Sequence, residues 1–172
     1  MSNKILIIAP HPDDETLACG GSILKHIKNK DEVHWLIITN YRKKDKNYKI
    51  RQKEIKRVAK AFSFSSTYNL DLEPATLDNL PIIDLINLVK EVINRIKPNL
   101  IYAPFINDVH TDHQVIAKVV SSFAKWFRYP YIEQINMYET ISETNFNFAK
   151  DKFCPNLYSK ITDFFEKKIK IL

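Results

Sequence analysis

No apolar run in this chain is long enough to cross a bilayer. The longest early one, Ile5 to Ala9, is far shorter than a membrane span or the core of a signal peptide, and no later stretch approaches such a length. Cysteine is scarce: Cys19 and Cys154 lie far apart with no framework of partners. That excludes a disulfide-stapled secreted module and suits a reducing cytoplasm, the location expected here. Zinc-finger spacing, an RNA-binding aromatic signature and a heptad repeat are all missing, which disfavours nucleic acid as the partner. Internal repeats and low-complexity linkers are missing too. What remains is 172 residues, 45% of them hydrophobic, enough for one domain spanning 1–172 with a sizeable core.

What the chain has in excess is positive charge, +6 formally, concentrated in "YRKKDKNYKIRQKEIKRVAK" and in the closing "EKKIKIL". A Lys-rich solvated surface accounts for such runs in a Lys-rich composition. The same charge would also attract a phosphorylated or nucleotide-linked small molecule.

Short apolar runs alternate with amphipathic segments. Lys4 to Ala9, closed by Pro10, reads as a buried strand, Leu17 to Lys28 as a helix and "EVHWLIIT" as a second strand. Ile55, Val58, Ala59 and Phe62 recur at helical spacing within Lys49 to Phe62, and a short strand is expected near Thr67 to Leu70. Pro81 can open a helix whose stripe is Leu85, Val89, Val92 and Ile96, with Pro98 ending it. "NLIYAPF" supplies another strand. A helix from near Asp112 should turn Val115, Val119, Val120, Phe123 and Phe127 inward. "YIEQINMYE" is a later strand, and Ile161 to Ile169 a last helix. This alternation predicts an α/β fold, a Rossmann-like three-layer sandwich with a mostly parallel sheet. In such sheets ligands gather at the carboxyl ends of the strands.

Two polar clusters fall at those ends. His11-Pro12-Asp13-Asp14-Glu15 follows the first strand, and "NDVHTDH" follows the strand containing Tyr102 and Ala103. Zinc favours imidazole nitrogen and carboxylate oxygen, with three protein ligands and water in a catalytic site. His11 and Asp14 are three residues apart across a Pro-constrained turn, and His110 and His113 repeat that separation. One of the latter pair can complete a metal triad while the other faces substrate. The plainer alternatives are that Asp13 or Asp14 caps the following helix, and that His110 and His113 flank Asp112 as an N-cap. Two such clusters at successive strand ends favour the metal. His26 and His34, without such company, read as structural or exposed. Gly20 and Gly21, the only glycines, weaken the first helix, so close backbone packing beside the metal loop is the expected return.

"PHPDDE" followed by "HTDH" resembles the LmbE-like, or PIG-L, family of zinc-dependent de-N-acetylases. The resemblance extends through "IRQKEIKRVAKAF", "LPIIDLI", "KPNLIYAPFINDVHTDHQVI" and "FCPNLYSKITDFFEKKI". It implies that His11, Asp14 and His113 bind zinc, with iron(II) as the other conceivable metal, and that Asp13 is the general base. It implies that His110 supports the oxyanion, and when protonated donates to the departing amine, and that Asp112 tunes His110 through a charge-assisted hydrogen bond. Arg51 and Asp78 match substrate-binding positions. Glu15 and Glu54 read as helix-terminus or structural acids. The implied activity is removal of acetyl from an N-acetylglucosamine-type sugar conjugate, a small-molecule partner, with a homo-oligomer left open. Family members usually continue beyond the segment that ends here at Leu172, so the domain is expected to be short at its C-terminus. A weakly active or inactive sugar- or metal-binding relative is the alternative function.

Overall fold

The computed structural model describes residues 2–146 and 152–172. Five strands, Lys4–Ala9 (β1), Glu32–Thr39 (β2), Ser66–Leu72 (β3), Leu100–Pro104 (β4) and Gln134–Tyr138 (β5), form one sheet in the order β3-β2-β1-β4-β5. Every neighbouring pair is parallel. The helices are Asp14–Lys28 (α1), Tyr48–Phe62 (α2), Ile82–Ile96 (α3), Thr111–Ser121 (α4) and Phe165–Ile171 (α5).

Ile5 to Ala9 have no exposed surface. A strand covered on both faces reads as a continuous apolar run, which is why β1 and β2 show little alternation in sequence. The period of two reappears in the packing. Leu6, Ile8, Leu36, Ile38, Ile101 and Ala103 meet α3 and α4 on one face. Ile5, Ile7, Ala9, Val33, Trp35 and Ile37 meet α1 and α2 on the other. Each fully buried Leu, Ile or Val among them contributes about 1.5–3 kcal/mol of transfer free energy.

The strand order places the site. From β1 the chain builds outward through β2 to β3, then returns to β4 on β1's other side. The crevice where that order reverses, between the carboxyl ends of β1 and β4, is the usual ligand position in an open parallel sheet. Both polar clusters stand there.

Two expectations need correcting. α1 starts at Asp14 rather than Leu17, so the motif's second aspartate is itself helical. α4 stops at Ser121; Phe123 is buried, but Phe127 is 64% exposed rather than turned inward, because the chain leaves the helical path before reaching it. The C-terminal segment explains the paired glycines. A Cβ on Gly21 would lie 2.6–2.7 Å from three carbons of Ile161, and one on Gly20 would meet Lys168 Cγ at 2.9 Å. Their bareness admits the segment ending in α5, which packs on α1.

Candidate metal centre

Each cluster is shaped by local hydrogen bonds. After β1, the backbone N–H of Asp13 donates to the His11 carbonyl at 3.0 Å, and Asp14 Oδ2 accepts the His11 N–H at 2.9 Å. This small ring turns the His11 side chain back over the start of α1. Asp13 occupies the N-cap position but makes no side-chain capping bond. Its carboxylate is uncommitted to the helix. After β4, Asp108 accepts the His110 N–H at 3.1 Å and the Thr144 hydroxyl at 2.8 Å. His110 caps α4 with its ring: Nδ1 accepts the Asp112 N–H at 3.1 Å.

These two turns bring three donor atoms together. His11 Nδ1 lies 3.2 Å from His113 Nε2 and 3.4 Å from Asp14 Oδ2, and His113 Nε2 lies 3.3 Å from Asp14 Oδ2. A tetrahedral ion with bonds of ~2.0–2.1 Å separates its ligand atoms by about 3.3–3.4 Å. The triangle therefore has the edge length of such a site, and its donor set of two imidazoles and a carboxylate suits a divalent metal ion.

The far nitrogens of both rings face carboxylates. His11 Nε2 lies 3.1 Å from Asp112 Oδ2, and His113 Nδ1 lies 3.3 Å from Asp108 Oδ2. Carboxylates behind the ligand histidines fix ring orientation and raise basicity, the usual arrangement around a bound metal. Asp112 itself is fully buried and also accepts the N–H groups of Ala75 at 2.7 Å and Leu77 at 3.2 Å. This corrects the expected pairing of Asp112 with His110. The carboxylate is directed to His11 and to the loop after β3, and only Asp112's backbone N–H reaches His110.

The electrostatics follow from these contacts. Burial pushes His11 and His113 down, but the surrounding carboxylates outweigh it and raise them to about 9 and about 10. Burial pushes Asp14 up, yet hydrogen bonds from the two histidines hold it well below the usual carboxylate range. His110 is lowered, by burial and by its two histidine neighbours. With Nδ1 occupied as an acceptor, His110 is neutral and carries its proton on Nε2. Burial and the Asp14 charge raise Asp13, against His11 and Arg51.

Arg51 reaches the metal loop from α2, with its guanidinium 3.4 Å from the Pro12 carbonyl and stacked over Tyr41 at 5.6 Å. Asp78 stands apart, exposed in the 3-10 turn Leu77–Asn79 one residue beyond the N–H that Asp112 binds. Glu15 is fully buried and is pushed up to about 8 by burial. His26 and His34 are structural, bonded to Asp31 and Ser66 at 2.8 and 2.7 Å. Sequence reasoning missed Asp108, Thr144 and Glu143. Asp108 lies inside the quoted "NDVHTDH", but nothing in the spacing marked it; Glu143, from the loop after β5, carries no local signal.

Solved structures similar to this chain share its fold. The N,N'-diacetylchitobiose deacetylase of Pyrococcus horikoshii superposes with a TM-score of 0.76 at 23% identity, over 99% of this chain and 68% of that one. GalB, a 4-carboxy-2-hydroxymuconate hydratase from Pseudomonas putida KT2440, superposes with a TM-score of 0.78 at 16% identity, over 99% and 77%. One fold thus serves two reactions, so chemistry must be argued from the site. In sequence, a probable N-acetyl-alpha-D-glucosaminyl L-malate deacetylase 2 from Bacillus anthracis is 22% identical over 129 residues. That match takes in 68% of this chain and 57% of the relative, little more than half its length. Residues 6–124, well over half the chain and both polar clusters, match the family described as GlcNAc-PI de-N-acetylase, and the chain belongs to that deacetylase family, PIG-L.

Proposed function

We propose that the chain is a zinc-dependent hydrolase that removes the N-acetyl group from an N-acetylglucosamine-type sugar conjugate, releasing acetate and a free amine. One observation carries the reading. The three-atom triangle of His11, Asp14 and His113 stands beside Asp13, a carboxylate that neither caps its helix nor joins the triangle. His11, Asp14 and His113 would hold the ion, zinc first and iron(II) second. Such an ion supplies Lewis acidity, making water acidic near neutral pH and polarising a carbonyl.

The chain's own residues do the rest. Asp13 accepts a proton from the attacking water at its carboxylate, a task suited to a base whose affinity for protons is raised. Neutral His110 donates its Nε2–H to the carbonyl oxygen as that atom gains charge. As the C–N bond breaks, the proton held by Asp13 is available to the departing amine. Arg51, bonded to the metal loop at Pro12, would hold a sugar hydroxyl or phosphate, and Asp78 would bond the sugar from its separate, exposed position. A cytoplasmic setting accords with free Cys19 and Cys154, and no helix among the described residues is long and apolar enough to cross a membrane. The test joins metal analysis to acetate release from a panel of N-acetylated sugars, neutral and phosphorylated. About one zinc per chain is expected, as for a three-ligand site. Protein that takes up no divalent metal when zinc is supplied, or releases no acetate across the panel, would refute the proposal.

A further inference from the structure

We propose that Glu143 is a positioning residue for His113. With Asp108 it holds the imidazole Nδ1–H, so that Nε2 is presented to the cation. This rests on the reading of His113 as a metal ligand.

His113 has no exposed surface, and its two nitrogens face different groups. Nε2 belongs to the triangle with His11 and Asp14. Nδ1 faces Asp108 Oδ2 at 3.3 Å and Glu143 Oε2 at 3.5 Å. An imidazole that offers the Nε2 lone pair carries its proton on Nδ1, and a buried N–H requires an acceptor. Neither His113 Nδ1 nor Glu143 Oε2 is engaged in a well-aligned hydrogen bond, though both are buried. Asp108 divides its acceptors among several donors: Oδ1 takes the His110 N–H and Oδ2 takes the Thr144 hydroxyl as well as facing His113. Glu143 Oε2, which has no other hydrogen-bond partner, is the second carboxylate oxygen facing Nδ1.

Its loop is shaped for the task. At the carboxyl end of β5, the N–H groups of Glu143 and Thr144 donate to the Thr140 carbonyl at 3.0 and 2.9 Å. The Thr140 N–H returns to the Thr144 hydroxyl oxygen at 2.8 Å. The turn therefore holds Glu143 against His113 while Thr144 orients Asp108. A third strand end, beside β1 and β4, thereby joins the site, and the ring is clamped from two sides. Groups in this place govern how firmly a ligand histidine is aimed, and their loss typically costs 10–100-fold in metal affinity.

The test titrates zinc into the full chain in competition with a chromophoric chelator at pH 7, for wild type, E143Q, E143A and E143D. Thermal melting without metal is measured alongside. E143A and E143Q should bind zinc about 10–100-fold more weakly, with metal-free melting as in the wild type. E143D, which keeps the carboxylate, should lie closer to wild type than E143A does. Wild-type zinc affinity in E143A and E143Q would overturn the inference while leaving the metal site standing. An affinity loss matched by a fall in metal-free melting, or unrelieved in E143D, would overturn it as a merely structural effect. A wild type that binds no zinc would overturn both readings.

Discussion

Replacing Asp112 by Asn keeps the side chain's shape and removes its charge, and the consequence can be worked from its three contacts. Oδ2 accepts from Ala75 N–H at 2.7 Å and lies 3.1 Å from His11 Nε2, while Oδ1 accepts from Leu77 N–H at 3.2 Å. An asparagine has one acceptor oxygen. Placed where Oδ2 stood, it leaves an amide NH2 facing the Leu77 N–H, donor against donor. An orphaned buried donor costs about 1–3 kcal/mol, and hydrogen bonds to charged groups are worth about 1.5–3 kcal/mol against ~1 for neutral ones. Together these give about 3–5 kcal/mol of lost stability, or roughly 10 °C in Tm for a chain of this size. Because its partners hold Asp112 below the usual carboxylate range, this stability is present above the unfolded pKa and fades as pH falls through the folded one. Thermal melting of metal-free wild type and Asp112→Asn at pH 7 measures the loss. Near-equal melting temperatures would refute the reasoning, since three donors cannot be satisfied by one amide oxygen.

Three further outcomes follow from the same geometry. Asp13→Asn should keep zinc and the melting temperature but lose about 10²–10⁴-fold in acetate release, whereas His113→Ala should lose the metal; weakened zinc binding in Asp13→Asn would make Asp13 a ligand instead. In the metal-free protein His11 and His113 are raised from 6.5 to about 9 and about 10, so their stabilisation is complete below pH 6.5 and disappears as pH rises through 9–10. Zinc must displace those protons, so its affinity should instead climb with pH, read by melting curves from pH 6 to 8.5 with and without zinc; a metal-free Tm that rises over that range would contradict the assignment. Gly21→Ala drives a Cβ into the branch point of Ile161 and should cost about 1–3 kcal/mol, while Gly20→Ala meets only flexible Lys168 and should cost less; comparative melting decides, and the reverse order would refute the packing account.

The parts of the fold that were legible in sequence are those fixed by local pattern. β2 is readable to the residue as "EVHWLIIT", because a strand buried on both faces is a nearly continuous apolar run. The α3 stripe of Leu85, Val89, Val92 and Ile96 was readable because its opposite face is polar. Phe127 was misread because helical spacing continues in the sequence after the backbone has left the helix. At the site, type and spacing point to His11, Asp14 and one of His110 and His113, since each pair is set by one turn; the choice of His113 comes from the family resemblance. The direction of Asp112's carboxylate was not, because its partners Ala75 and Leu77 come from a loop 35 to 37 residues earlier. Glu143 is further removed still, brought to His113 only by β5 lying next to β4.

The superposition with both a deacetylase and a hydratase means that the open parallel sheet explains where the chemistry happens and nothing about which reaction it is. The distinction lies in how a few polar atoms are committed. Had Asp13 capped α1, the loop would hold an ion and a helix end, and no base would remain beside the triangle. Instead α1 begins without a side-chain cap, and a helix start that forgoes such a bond gives up about 1 kcal/mol. The same economy governs His110. Its Nδ1 is spent on the Asp112 N–H, which fixes the tautomer and leaves one directed N–H in place of a mobile charge. Local stability is given up at Asp13 and directional freedom at His110, both within the crevice at the β1 and β4 ends. A missing side-chain cap is not peculiar to that crevice, since α2, α3 and α5 also begin without one; what sets the crevice apart is a carboxylate left free of its helix directly next to the triangle of His11, Asp14 and His113.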